Sequence, residues 1–279
     1  MSEKVWLITG CSSGFGRALA EAALLRGDSV VLTARNVATL ADLAARWPAK
    51  SHLATLDVTD SRQIQQVVEE AIRVFGRIDI LVNNAGYGLL GSLEESSDAQ
   101  IRRNFEVNFF GPLELIRCAL PHFRAARSGH VLNISAAAAI TNYAGFGIYG
   151  SAKCALEGMS ESLAAEGRSF GLKVTIVQPG PFRTDFISRS LDRAQVVLPE
   201  YEASVGKFAK FIDGIDGKQP GDPDLAAQVI LQAVDAERPP LRLVIGKYAL
   251  DKARRTIAGR DAELKTWEAA SVAADGPAS

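Results

Sequence analysis

Short apolar runs alternate with helix-length amphipathic segments along most of the chain. The run VWLITG (residues 5–10) reads as a first strand, and GRALAEAALLRG (16–27) as a helix that Gly27 closes. SVVLTAR and HLATLDV read as second and third strands, separated by NVATLADLAARW, a helix capped by Asn36. DSRQIQQVVEEAIRVFG is a helix between Asp60 and Gly76, and DILVNNAG a fourth strand. Residues 98–126 have the spacing of one long helix, bent at Gly111-Pro112. GHVLNIS is a fifth strand and YGSAKCALEGMSESLAAEGRSFG a helix ending near Gly171. KVTIVQPG is a sixth strand, PDLAAQVILQAVDA a further helix and LRLVIG a seventh strand.

The strands are apolar throughout rather than alternating, as a parallel sheet covered on both faces requires. The alternation predicts one α/β domain over residues 1–279. Its architecture is a Rossmann-type doubly wound parallel sheet of about seven strands with helices on both faces. Two segments stand outside the rhythm. Residues 186–223, ending in DGIDGKQPGDP, read as an excursion off the sheet. Residues 248–279 form a C-terminal extension, helical at its start and disordered over its small last residues.

Composition narrows the function classes. Hydrophobic residues make up 47% and charged residues 23% of the 279, and the net charge is -1. That balance belongs to an ordinary globular protein and argues against a surface built for nucleic acid or anionic membrane. Three cysteines (Cys11, Cys118, Cys154) and three histidines (His52, His122, His130) are scattered without metal-ligand spacing, so a reduced protein with no metal site is expected. The N-terminus lacks the pattern of a signal peptide, and no run approaches the roughly 18 apolar residues of a membrane span. A cytoplasmic location is expected.

Candidate chemistry gathers at two places. TGCSSGFG (9–16) sits between the first strand and the first helix. Gly10, Gly14 and Gly16 let the chain turn tightly and let backbone N–H groups approach a pyrophosphate at the helix N-terminus. The second strand ends in Ala34-Arg35, where NAD-binding versions of this architecture carry a carboxylate on the ribose. With a guanidinium available for a 2′-phosphate instead, NADP(H) is favoured. Asp57, ending the third strand, is either an adenine acceptor or the start of a helix cap. The second place is Tyr149 and Lys153, four apart on one helix face. A nearby ammonium lowers a phenol's pKa and makes Tyr149 a usable proton donor to a carbonyl.

TGCSSGFG, DVTD, NNAG (83–86), Asn108 in EVNFFG, YGSAK and QPGPFRT occur in that order. Together they resemble the short-chain dehydrogenase/reductase family in its common form, over residues 4 to about 246. The resemblance implies roles. Tyr149 is the catalytic acid/base, Lys153 holds the nicotinamide ribose and tunes it, and Asn108 maintains a proton-relay water. Ser12, Ser13 and Phe15 belong to the phosphate loop with Gly10 and Gly16. Val58 joins Asp57 in the cofactor-binding set. Asn84, Ala85 and Gly86 line the adenosine-ribose side, and Pro179, Gly180 and Thr184 cradle the nicotinamide.

The chain departs from the pattern at one position. The family places its catalytic Ser thirteen residues before the Tyr, which here is Ala136; Ser135 is one short and is expected to face away from the substrate. Losing one oxyanion donor typically costs on the order of 10²–10³ in rate. A water, Thr141 or Tyr143 is a candidate substitute, and an engineered inactivating substitution is equally compatible. The substrate side offers Ala136, Tyr143, Phe182 and Phe186, with Ile187, Leu191, Tyr201, Phe208, Phe211 and Ile212 as an apolar lid. TGCSSGFG with PGPFRTDF looks like the branch that includes hydroxysteroid and retinol dehydrogenases. An NADP(H)-dependent oxidoreductase for a hydrophobic ketone or secondary alcohol is expected, possible as a homo-oligomer. The alternative is a nucleotide-binding sensor or interaction protein with impaired catalysis.

Overall fold

The structure is a computed structural model and describes residues 3–276. In chain order the elements are β1 (Val5–Ile8), α1 (Gly14–Leu25), β2 (Ser29–Ala34), α2 (Ala41–Arg46), β3 (Ser51–Thr55), α3 (Ser61–Phe75), β4 (Ile80–Asn83) and β5 (Gly88–Leu90). Next come α4 (Asp98–Phe105), α5 (Gly111–Ala126), β6 (Gly129–Ile134), α6 (Ala137–Ile140), α7 (Gly147–Gly167) and β7 (Leu172–Pro179). The last are α8 (Phe186–Arg189), β8 (Leu191–Arg193), α9 (Lys207–Ile215), α10 (Pro223–Asp235), β9 (Arg242–Ile245) and α11 (Lys247–Val272).

Seven parallel strands form one sheet in the order β3-β2-β1-β4-β6-β7-β9. Side chains of β1 alternate between two separate cores. Trp6 and Ile8 join α1 and α10 on one face, whereas Leu7 joins α3, α5 and α7 on the other. The chain winds outward from β1 to β3, then returns to build from β4 the other way. This reversal opens a crevice beyond the carboxyl ends of β1 and β4.

Local chemistry sets the helix limits. Asp60 accepts from the Arg62 and Gln63 amides to open α3, and left-handed Gly76 closes it. Asp222 caps α10 in the same way ahead of Pro223. Asn36 also caps, but it opens a 3-10 turn (Val37–Leu40) ahead of the short α2, not one continuous helix.

Two further expectations need correction, and a third gains detail. The long 98–126 helix is interrupted by a π-turn over Glu106–Phe110; Pro112 merely occupies the first turn of α5, where its missing N–H costs nothing. The 186–223 excursion does leave the seven-stranded sheet, and what the sequence does not indicate is that β8 within it runs parallel to β5 in a second, two-stranded sheet. The C-terminal extension stays helical to Val272, and only the final residues of the expected disordered end, 277–279, lie outside the described residues.

One buried polar stack fixes α7, which carries Tyr149 and Lys153, to the sheet. Asn83 Nδ2 on β4 donates to Asn133 Oδ1 on β6 (2.7 Å), and Asn133 Nδ2 donates to Ser160 Oγ on α7 (2.7 Å). Ser160 Oγ in turn donates to the Leu156 carbonyl. Replacing Asn133 by Ala strands partners on two elements at once. Asn133→Ala should lower unfolding free energy by about 2–4 kcal/mol, as buried unpaired polar groups do, read by urea denaturation.

Candidate active site

The crevice at the switch point widens into a cavity of about 890 Å³. At one end lies the β1–α1 loop. Gly10 and Gly14 hold φ of 71° and 57°, which side-chain-bearing residues rarely adopt. A Cβ on Gly16 would press into the Gly10 carbonyl and the Asn84 amide. Ser12, Ser13 and Phe15 face the cavity, and Gly16 does not: it lies behind the loop and lets the loop fold back on β4.

Asn84 lines the cavity, and its side-chain amide also donates to the Thr9 and Gly10 carbonyls (2.8 and 3.0 Å). It shapes the glycine loop. The Asn84 and Ala85 amides both donate to Thr9 Oγ1, so the β4 end is laced to the β1 end.

Arg35 stands exposed at the cavity wall, with Ala34, Leu56, Asp57 and Val58 beside it. Asp57 accepts from the Thr59 amide and hydroxyl in the turn before α3, whose cap is Asp60, and it also lines the cavity. Burial works against its charge, but these bonds and the cations of Arg35 and Arg103 keep its carboxyl below the usual value. Arg103, on α4, lies in no sequence motif; only its place beside the EVNFFG segment marks it.

At the other end Tyr149 (6% exposed) and Lys153 (5%) sit in the wall on one turn of α7. Lys153 Nζ donates to the Ile134 carbonyl (2.9 Å) and lies 5.9 Å from the Tyr149 ring centre. Burial pushes Lys153 down to about 8, against the attraction of Glu157. The expectation that the ammonium lowers the phenol is not met: burial dominates and raises the Tyr149 pKa. Asn108 sits behind the cavity rather than in it. Its Nδ2 donates to the Tyr87 and Asn104 carbonyls, and the π-turn aims its buried, unpartnered Oδ1 at Gly86, close to where Lys153 Nζ also approaches.

Ala136 lines the cavity near this end. Ser135, just past the end of β6, also borders the cavity, but its hydroxyl donates to Glu157 Oε1 (2.5 Å), which also accepts from Gln178. Thr141 Oγ1 is likewise engaged, with the Ile140 carbonyl and with Thr256 on α11. Around Tyr149 the wall is aromatic: Phe146 at 5.4 Å and Phe186 at 5.8 Å between ring centres, with Tyr143 stacked on Phe208 at 5.1 Å. Tyr201 is not part of this lid; its hydroxyl reaches Glu94 beside a separate small cavity. Phe182 packs edge-on against Phe15 (5.0 Å) and bridges to Gly221, and with Pro179, Gly180 and Thr184 it closes the cavity over the glycine loop.

Two cavity residues come from segments the motifs leave blank. Gln219 is buried with an unpartnered Oε1. Tyr248 reaches in from α11, where YALDK repeats the Y-x-x-x-K spacing of YGSAK, the one signal that could have found it. Among the described residues no group of three metal-binding side chains and no helix apolar enough to cross a membrane is present.

Known proteins share this arrangement. The family model for short chain dehydrogenase matches residues 4–195. Oxidoreductase BOA17 of Botryotinia fuckeliana is 36% identical over 271 residues, covering 97% of this chain and 98% of that protein. A short-chain dehydrogenase from Streptomyces avermitilis superimposes with a TM-score of 0.93 at 43% identity, over 99% and 100% of the two chains. A Burkholderia phymatum relative in complex with NAD (TM-score 0.81, 26% identity, 95% of each chain) has the same fold. So has a Sphingobium yanoikuyae relative in complex with NADPH (TM-score 0.73, 26% identity, 99% and 98%).

The glycine loop gives the first test of the site. Gly16→Ala should weaken dinucleotide binding at least about tenfold through overpacking of roughly 1–3 kcal/mol, measured by nucleotide fluorescence titration.

Proposed function

The chain belongs to the short-chain dehydrogenase family, and from that premise we propose that it is an NADP(H)-dependent oxidoreductase acting on a hydrophobic ketone or secondary alcohol. The observation that carries this reading is the placement of Tyr149 and Lys153 in the wall of one cavity whose far end is the glycine loop and Arg35. Family membership makes the protein an oxidoreductase with a nicotinamide cofactor.

The cleft fits that cofactor. The positive-φ glycines and the crowded Gly16 form a cradle with no room for side chains, which a pyrophosphate can approach. Ser12, Ser13 and Phe15 would hold the phosphates, Asp57, Val58, Ala85 and Gly86 the adenosine side, and Pro179, Gly180 and Thr184 the nicotinamide side. Arg35 has no ion-pair partner among the described residues, so its guanidinium is available to a 2′-phosphate. That feature supports NADP(H) over NAD(H).

When bound, a reduced nicotinamide supplies hydride to a carbonyl carbon. Tyr149 gives its phenolic proton to the carbonyl oxygen as the C=O π bond becomes the alcohol C–O bond. Its burial keeps that proton in place until the oxygen gains charge. Lys153 binds the ribose and holds positive charge near the phenolate that Tyr149 becomes. Asn108 turns its unpartnered Oδ1 toward the spot beside Gly86 that Lys153 Nζ also approaches, the place for the relay water its family role implies. Phe146, Phe186 and Phe208 exclude water and favour an apolar substrate. Ala136 is the one feature that favours the second reading, a nucleotide-binding sensor with impaired chemistry.

NADPH oxidation with a panel of aryl and alicyclic ketones tests the proposal; tight NADPH binding with no turnover of any ketone sinks it. The charge on Lys153 is present below about pH 8 and is lost above it. The reductive rate should therefore fall as pH rises through that value, while a flat profile from pH 6 to about 9.5 contradicts an essential ammonium. Arg35→Ala should weaken NADPH by about 10–100-fold, the range of a lost charge-assisted phosphate contact, and leave NADH unchanged. Equal affinities before and after remove the cofactor argument.

A further inference from the structure

Ala136 leaves the reductase without the hydroxyl that the family places there, and the two hydroxyls closest to it in sequence are engaged elsewhere. Ser135 is turned to Glu157 and Thr141 is tied to Thr256. Tyr143 remains. It lines the same cavity as Ala136 and Tyr149 and packs in the same apolar cluster with them. Its ring meets Phe146 at 6.2 Å, and Phe146 meets Tyr149 at 5.4 Å, so one intervening ring separates the two phenols.

The C-terminal helix holds this residue. Tyr248 Oη lies 3.1 Å from Tyr143 Oη, and Lys252 Nζ lies 3.2 Å from the centre of the Tyr143 ring. Two hydroxyls joined by one hydrogen bond use one of their two protons. With Tyr248 donating, the proton of Tyr143 is free to point into the cavity. The ammonium on the ring face draws electron density from the phenol, against the burial and the Tyr248 contact that make it a weaker acid. Stacking on Phe208, 13° from parallel, fixes the ring plane.

We propose that Tyr143, oriented by Tyr248 and Lys252 of the C-terminal helix, donates the carbonyl-polarising hydrogen bond that Ala136 cannot give. The proposal rests on the reductase reading and adds to it a second phenol with a different role. Tyr149 transfers its proton; Tyr143 keeps its own and stabilises the developing oxyanion. Tyr248 is a positioning residue.

Steady-state NADPH oxidation with the best ketone of the panel tests this in wild type, Tyr143→Phe, Ala136→Ser and the double variant. Phenylalanine keeps the stack on Phe208, so only the hydroxyl is removed. Tyr143→Phe should lower kcat by about 100-fold, the effect of losing one oxyanion donor, with NADPH affinity unchanged. Adding Ala136→Ser should restore at least about tenfold in that background and change wild type far less, because the two hydroxyls serve one oxygen. Tyr248→Phe should cost less, roughly 3–10-fold, since it loosens the orientation of the donor without deleting it. Wild-type turnover with Tyr143→Phe within twofold of it overturns the proposal and leaves the reductase reading standing. A loss that the serine does not restore, or restores equally in both backgrounds, makes Tyr143 structural and also overturns it. Absence of any wild-type turnover removes the reductase reading, and this proposal with it.

Discussion

An ammonium taken out of water costs several kcal/mol unless the protein returns the lost hydrogen bonds and charge. Lys153 is 5% exposed, and much of the surrounding architecture answers that cost. The Ile134 carbonyl, freed at the end of β6, takes one of its protons. Glu157, one turn further along α7, supplies opposing charge from a site that is itself 8% exposed. That carboxylate needs donors in turn, and Ser135 and Gln178 provide them from the ends of β6 and β7. Helix and sheet are therefore joined at this corner by polar satisfaction as much as by packing, with the Asn83–Asn133–Ser160 stack one layer below.

This accounts for which of two adjacent strand residues carries a hydroxyl. Successive side chains on β6 point to opposite sides. Ser135 faces the carboxylate that balances Lys153, and Ala136 faces the cavity. Moving the hydroxyl one residue would leave Glu157 short of a donor, so the serine at 135 has a structural role that the position at 136 does not share. The missing hydroxyl at 136 and the satisfied lysine corner are separate consequences of one alternation.

The sheet is legible in the chain because each strand is an apolar run bounded by glycine, proline or a capping residue, and such runs have few other ways to be buried. The glycine loop and the Tyr149–Lys153 pair are legible because each is local, contained within one turn of chain. The features that escape depend on distance. The π-turn over Glu106–Phe110 adds one residue to a helix whose spacing otherwise continues, and nothing in EVNFF announces it. The β5–β8 pair unites three-residue strands a hundred positions apart, too short to show a period. Its motif assigns Asn84 to the cavity, but the bond of its side chain to a carbonyl at the end of β1 follows from no local pattern. Composition places Tyr201 in the lid, and Glu94 takes it elsewhere. Tyr248 and Lys252 carry a spacing signal, but their partner Tyr143 lies on a distant loop.

The helix that supplies Tyr248 and Lys252 lies wholly beyond residue 195, where the family match stops. So do Phe208 on α9 and Gln219 ahead of α10. The glycine loop, Arg35, Asn108, Tyr149 and Lys153 all lie before it. The chain is thus partitioned along its length. Its first part holds the glycine loop and the Tyr149–Lys153 pair, and its last part adds further walls to the same cavity beside Ala136, Tyr143, Phe146 and Phe186. Because that last part also contains β9, the edge strand of the sheet, and α10, packed against α1, the cavity wall and the scaffold are one fabric there, and a change in the wall is felt by the sheet.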